Sequence, residues 1–386
     1  MWVPFLSLLL GGVTVHIGGK QPDILYFDLV FGIWVTYQVV WKGFSPSFSG
    51  WIVPLGALCV LSGLFSTLVN LRDMYRGIAA AKVLAIGFLV YAVAKKAGLG
   101  LLVPSLFGAC ASLLLLGDYE RIRYGRYEAL SGLKDDIEIA MGRSNTVASV
   151  LILLIPLAIA GVCLYRGRKR WIFAGCAMLM GGGLLATMSR GAILAIVAAT
   201  LLSLPFLRRA GLKMKHAVLA LVALGLMGAL VPMDLLQTNV DLFVYRLENP
   251  DHTRAEIMQA SWQAFMENPV FGVGPGELGT AINHHLIVPT MAGEHQYNAH
   301  NLVIDSLAEM GLPAGLVLLC IVGLVLRSAW VAVRTHATAF NVAVWVALLA
   351  ALIHNMVEAS FEGEQFQVVF WSVAAMAGTQ TDARES

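Results

Sequence analysis

Charge is scarce in this sequence. Only 13% of its 386 residues are Asp, Glu, Lys or Arg, against 58% hydrophobic residues, and mean hydropathy is +0.75. That balance excludes an ordinary soluble globular domain. The leading run from Met1 lacks a basic first region and an A-x-A-like cleavage site, so it reads as a retained helix and not a signal peptide. Cysteine occurs five times, at Cys59, Cys110, Cys163, Cys176 and Cys320, always inside apolar runs and without motif spacing. This excludes a disulfide framework and a cysteine-built metal site, and predicts buried free thiols. No fixed-period repeat and no low-complexity linker divides the chain, which argues for a single membrane domain over 1–386.

What is present is a series of apolar runs of about 17 to 22 residues, each able to cross a hydrocarbon core about 30 Å thick. Backbone polar groups in that core must be satisfied internally, and runs of this length suit helices better than barrel strands. The sequence therefore predicts an all-α polytopic transmembrane bundle of about twelve spans: 2–17, 24–41, 51–70, 78–94, 98–117, 146–165, 171–187, 191–207, 217–233, 303–326, 337–354 and 365–378. Basic residues fall on alternate loops, at Lys42, Lys95, Lys96, the run Arg166 to Arg170, Arg208, Arg209, Lys213, Lys215, Arg327 and Arg334. The positive-inside rule places those loops and both termini in the cytoplasm. Two long segments then lie outside. The first, 118–145, mixes charges of both signs with Tyr119, Tyr124 and Tyr127 and reads as an interfacial helix and loop. The second, 234–302, is a large loop containing short helices. The lipid bilayer is the expected surrounding, and no nucleic-acid partner is expected.

Several residues on the outer side suit chemistry. Arg190 sits in a short turn between two spans, where a guanidinium is costly without an anionic partner. Thr253 and Glu256 form a capping box that predicts a helix from Arg254 to the Asn268-Pro269 stop, with Met258, Ser261 or Trp262, and Phe265 on its apolar side. A cation in the first turn opposes the helix dipole, so Arg254 suits anion binding better than helix stability. Gly274, Gly276 and Gly279 have G-x-G-x-x-G spacing, but no βαβ unit surrounds them, and tight turns are the better reading. Gly181 to Gly183 suggest close helix packing.

His284, His285, His295 and His300, with Glu294, lack a helix-spaced ligand pair, so no metal and no cofactor is expected. His300 differs from the others by opening the tenth span, where a helix N-terminus disfavours the imidazolium and leaves a neutral imidazole able to accept a proton. Asn301, Asp305 and Glu309 continue from it at i, i+4 spacing. Such a polar stripe should face protein or a water-filled cavity and is a candidate substrate-binding set. His354, Glu358, Glu362 and Glu364 gather on the same outer side, where solvation or the rim of a cavity explains them equally well.

At four places, Asn145 to Ala158, Ser189 to Gly191, TRAEIMQASW through NPVFGVGPGELG, and AHNLVIDSLAEMGLPAGL, the chain resembles the O-antigen ligase and O-antigen polymerase family of bacterial inner-membrane glycosyltransferases. The resemblance covers roughly 140–365. It departs at Thr146, where many relatives have proline.

The resemblance implies transfer of a glycan from a polyprenyl diphosphate carrier, on the periplasmic side, to an acceptor sugar. That acceptor is the lipid A core in ligases and another lipid-linked glycan in polymerases. It also implies that Arg190 and Arg254 match the family's diphosphate-binding arginines and His300 its essential histidine. A transporter of lipid-linked glycan is the competing class. It calls for ionisable groups near the midplane, where this sequence has few, such as Asp28 and Lys82.

Overall fold

The computed structural model of the chain describes residues 14–17, 20–43, 51–70, 74–97, 144–187, 189–211, 252–283 and 298–378. These are helical apart from one short antiparallel hairpin, β1 (Thr14–Ile17) paired with β2 (Lys20–Leu25). The helices in chain order are α1 (Tyr26–Lys42), α2 (Ile52–Val69), α3 (Met74–Ala97), α4 (Ser144–Leu164), α5 (Gly167–Ala186), α6 (Arg190–Leu202), α7 (Leu204–Arg209), α8 (His252–Glu267), α9 (Leu278–Ile282), α10 (Leu302–Thr335), α11 (Ala339–Asn355) and α12 (Glu364–Met376). Four of them, α2, α3, α4 and α10, are long and apolar enough to cross a membrane, and α6 and α11 are shorter apolar helices. The predicted spans at 98–117 and 217–233, and nearly all of the 118–145 segment, lie outside the described residues. The 2–17 span does too, except for its end, which forms β1 and not helix.

The bundle is built around α4. Its run from Val147 to Ala158 is buried on every side, as expected of a helix apolar all round. Helices α5, α11 and α12 enclose it, with α6 alongside. Tight contacts use small residues: the α-carbon of Gly161 lies against the Phe173 ring, and that of Gly87 against Trp371. Trp371 is wholly buried, meets the Phe88 ring at a tilt with centroids 4.8 Å apart and donates its indole N–H to Gln367 Oε1 at 2.5 Å.

The two ends of the bundle differ chemically. Helices α3 and α12 run parallel, and at their far end Lys95 Nζ donates to the carbonyls of Ala375 (3.3 Å) and Ala377 (3.1 Å). A cation there complements the C-terminal dipole of α12. The α4–α5 turn with Arg166 to Arg170, the last turn of α7 with Arg208 and Arg209, and the last turn of α10 with Arg334 lie at that same end. The opposite end carries Asn145, Arg190, His300 and Glu364 at helix starts.

At the start of α12, Lys82 Nζ lies 2.9 Å from Glu364 Oε2, with both side chains largely buried. Replacing Lys82 by Met should destabilise the protein by about 3–5 kcal/mol, because Glu364 would keep its buried charge without this ammonium. The Lys82→Met, Glu364→Met double variant should recover most of that loss. Thermal unfolding of all three proteins in detergent tests this, and a double variant as unstable as the single one would refute it.

Three expectations change. The 191–207 span is two helices, α6 and α7, broken at Ser203 with Pro205 opening the second; proline cannot donate into the preceding turn. The tenth span is not a simple 303–326 helix. α10 is 34 residues long, about 51 Å at 1.5 Å per residue, and it breaks at Gly311 (φ 72, ψ 178) ahead of Pro313. Among the described cysteines only Cys59 is buried; Cys176 is half-buried, Cys163 and Cys320 lie on the outer surface of the bundle, and Cys110 lies outside the described residues. An apolar run reads the same facing lipid or facing protein, so sequence could not separate them.

Candidate active site

The break in α10 is where the outer loop attaches. With Gly311 out of the helix, carbonyls at the end of the first half accept hydrogen bonds from the loop: Val273 N–H donates to Ala308 O (2.8 Å) and Gly274 N–H to Glu309 O (3.0 Å). In return Leu312 N–H donates to Pro269 O at 2.8 Å. Gly272, Gly274 and Gly276 all have positive φ, so the tight turns expected of this glycine-rich stretch are present. The loop also rests on α2, where Ser66 Oγ donates to Phe271 O and Asn70 Nδ2 to Gly272 O at 3.0 Å. Ile257, Ala260, Ala264 and Phe265 of α8, Leu278 and Ile282 of α9, and Leu307 and Ala308 of α10 form a small core of their own above the bundle.

α8 begins at His252, two residues earlier than the capping box predicts, so Thr253 is inside the helix and is not its cap. Arg254 remains in the first turn. The buried face runs through Ile257, Ala260, Ser261, Ala264 and Phe265, so the apolar side expected of this helix is divided: Ser261 and Phe265 pack inward, and Met258 and Trp262 are exposed.

His300 occupies a strained position. It has φ 50, the one positive value outside glycine among the described residues, a conformation that side chains adopt at a cost and that recurs at functional sites. The sequence on both sides holds it. Asp305 Oδ1 accepts from Ala299 N–H at 2.6 Å, and Asn298 Oδ1 from His300 N–H at 3.4 Å. Asn301 is the N-cap of α10, accepting from Val303 and Ile304 N–H and donating to Met356 O at 3.0 Å. His300 thus precedes the helix and is not within its first turn. The polar stripe does face protein. Asp305 braces the histidine turn, and Glu309 Oε1 accepts from Gly276 N–H at 3.0 Å to hold the glycine loop.

The pieces converge on Glu358, in the turn between α11 and α12. Its Oε1 lies 3.3 Å from His300 Nδ1, an ion-pair distance without the alignment of a hydrogen bond. Its Oε2 lies 3.6 Å from an Arg254 guanidinium nitrogen and accepts from Asn145 Nδ2 at 2.8 Å. The turn is anchored to α4, since Ser149 Oγ and Ser360 Oγ are 2.5 Å apart, and Ser360 N–H donates to Asn355 Oδ1 at 2.9 Å. A second Arg254 nitrogen lies 3.5 Å from Val357 O. Arg190 opens α6 with its side chain exposed. The adjacent Gly191 packs so closely on His354 and Val357 that an added methyl would sit 3.3 Å from each. Arg254 and the residue next to Arg190 therefore both meet the Val357–Glu358 turn.

Burial works to raise the Glu358 pKa, but the close contact with His300 and the charges of His300, Arg254 and His354 outweigh it, leaving the carboxyl below its ordinary 4.5. Glu358 is thus an anion at neutral pH, suited to orient a histidine and a guanidinium and not to supply a proton. Sequence reading saw Glu358 only as one of several outer acids. Its i, i+4 spacing from His354 was the available signal, and that spacing cannot tell a solvated carboxylate from a gathered one.

Among the described residues no three His, Cys, Asp or Glu side chains group as metal ligands; His284, His285, His295 and Glu294 lie outside them. Among the described residues, fold and site together define a helical membrane protein with a polar cluster of a histidine, a carboxylate and an arginine at the end away from its basic loops. Residues 175–319 match the family described as O-antigen ligase, Wzy_C, which supports over that segment the family resemblance read from the motifs. That segment includes Arg190, Arg254 and His300 and excludes Asn145 and Glu358. No curated protein matches the chain.

Proposed function

We propose that this chain is a bacterial inner-membrane glycosyltransferase that moves a glycan from a polyprenyl diphosphate carrier to an acceptor sugar hydroxyl at the periplasmic face. The observation that carries this reading is the gathering of His300, Arg254 and Glu358 in one turn-bounded site, beside Arg190, at the end of the bundle opposite Lys95 and Arg166 to Arg170. With the basic loops inside, that end faces the periplasm.

In the proposed reaction His300 Nδ1 stays turned to Glu358, which leaves Nε2 for the acceptor. Nε2 takes the hydroxyl proton as the acceptor oxygen bonds to the anomeric carbon, and the bond from that carbon to the diphosphate oxygen breaks. The electron pair leaves with the diphosphate, whose growing charge Arg190 and Arg254 stabilise. A single displacement inverts the anomeric centre. The Glu358 anion stabilises the imidazolium that forms. Asn301, Asp305 and Glu309 act by holding the histidine turn and the loop around the substrates.

The lipid A core is the acceptor we favour, on the family's ligase description. A polymerase joining two lipid-linked glycans uses the same chemistry. Proteoliposomes supplied with polyprenyl-diphosphate-linked glycan and either lipid A core or a second lipid-linked glycan separate the two. Product on the lipid A core identifies a ligase and product only on the lipid-linked acceptor a polymerase. Movement of donor across the bilayer with neither product would identify a transporter and overturn the proposal.

A further inference from the structure

α8 presents three different sectors of side chains, a buried one that mixes i, i+3 and i, i+4 steps and two exposed rows at i, i+4 spacing. The first is buried against the loop core, with Ile257, Ala260 and Ala264 at its centre. Next to it Met258, Trp262 and Met266 are exposed by 41%, 46% and 61%. Beyond them Gln259, Gln263 and Glu267 are exposed as well. A helix that only covers a core needs two faces, one apolar and one polar. A third sector, apolar yet uncovered and lying between the other two, is what a helix has when it rests along a membrane surface, and tryptophan in that sector favours the interface.

Further exposed apolar residues follow this row and lead to α2, one of the helices long and apolar enough to cross a membrane. Past the end of α8 come Val270 and Phe271, both exposed. The Phe271 ring meets Phe65 of α2 edge-on at 5.5 Å. Phe65 is itself exposed, with Leu61 and Leu68 on the same side of a helix long and apolar enough to cross a membrane. The bonds from Ser66 and Asn70 to Phe271 and Gly272 tie the loop to the end of α2, so the height of α8 is set by a membrane-spanning element.

We infer that α8 lies in the bilayer surface on the side of the active site, with Met258, Trp262 and Met266 inserted at the boundary between headgroups and acyl chains. Its partner is the lipid leaflet and not another protein. Arg254 stands one turn from Met258 on the adjoining edge of the helix, so this placement holds the guanidinium at the depth of lipid phosphates. This last consequence rests on the proposed function; the membrane contact does not.

Spin labels placed at Met258→Cys, Gln259→Cys, Trp262→Cys, Gln263→Cys and Met266→Cys, in the full chain with its five native cysteines replaced by alanine, read the contact directly in nanodiscs. Positions 258, 262 and 266 should show a several-fold higher ratio of collisions with oxygen to collisions with a water-soluble nickel chelate than 259 and 263. Equal nickel access at all five positions, or shielding of 258, 262 and 266 from both reagents by a protein neighbour, would overturn the inference. If the cysteine-free chain does not fold, the native sequence serves. Lipids brominated near the glycerol end should quench a smaller share of tryptophan emission in W262F than in wild type, and an unchanged share overturns the inference. Neither readout depends on glycan transfer, so failure of the proposed enzyme activity is distinguishable.

Discussion

Asparagine at His300 is expected to lower glycan transfer by about 10²–10⁴-fold, the range for removing a positioned general base, while the protein remains folded in the membrane. Asparagine is preferred to alanine here because it tolerates positive φ, and the backbone at this position has φ 50. The neighbouring constraints, Asp305 on Ala299 and Asn301 on the start of α10, do not involve the imidazole, so the turn should survive. Glu358→Gln removes the anion but keeps the side chain's size. It should also reduce the rate, by tenfold to about 10⁴-fold, the upper value being that of the carboxylate-to-amide change behind the histidine of a Ser-His-Asp triad. Arg254→Ala should cost about 10²–10³-fold, as for losing one group that stabilises developing negative charge. Normal transfer by the His300→Asn protein in the proteoliposome assay would refute its role as base.

The same carboxylate makes a pH prediction. Glu358 is held below its ordinary 4.5 in the folded protein. Its contribution to stability is therefore fully present above the unfolded value and is lost as pH falls through the lower folded value. Wild type should lose an increment of melting temperature in that acid window that the Glu358→Gln protein, having no carboxyl there, does not. Parallel melting curves that differ by a constant offset down to pH 3 would show that Glu358 gains nothing from its partners.

The second large effect is expected at the break in α10. Gly311 has φ 72 and ψ 178, a region open essentially to glycine alone, and a side chain forced there costs about 1–3 kcal/mol in backbone strain. A methyl at this position would also collide with the Val270 carbonyl and crowd Gly272 N, the strands of contact through which the loop is attached. Gly311→Ala should therefore detach the 269–274 segment from α10, sharply lower the melting temperature and expose the loop to proteolysis. Transfer should fall with it, because α8 and Arg254 are carried on that loop. Gly323→Ala on the same helix is the control. An added methyl there meets nothing within 4 Å, and replacing glycine by alanine inside a helix should be neutral or stabilise by about 0.5–1 kcal/mol. Equal stability of the two variants would show that the break is not required.

How much of this was legible beforehand depends on how local the signal is. The apolar runs reported helices α2, α4 and α11 to within two residues and α3 to within four, because spanning a hydrocarbon core demands length and composition and little else. Proline and glycine marked breaks, yet Gly311-Leu312-Pro313 was read through as continuous helix, since such residues are tolerated in membrane helices when neighbours satisfy the freed backbone groups. That condition is met by a loop some forty residues earlier in the chain, about which the local sequence is silent.

The sequence by itself determined that this is a helical membrane protein, which end carries its basic loops, and that Arg190, Arg254 and His300 are the residues to watch. Scarce charge in an apolar chain makes each ionisable residue conspicuous. Only the tertiary structure decided what binds them together. Glu358 becomes the centre because α4, α8, α10 and the α11–α12 turn bring Asn145, Arg254, His300 and a carboxylate from four distant parts of the chain to one point. Of the two surroundings expected for Asp305 and Glu309, protein or a water-filled cavity, the fold supplies protein: each carboxylate takes a backbone donor within reach, Ala299 N–H and Gly276 N–H, and folding alone determines which those are.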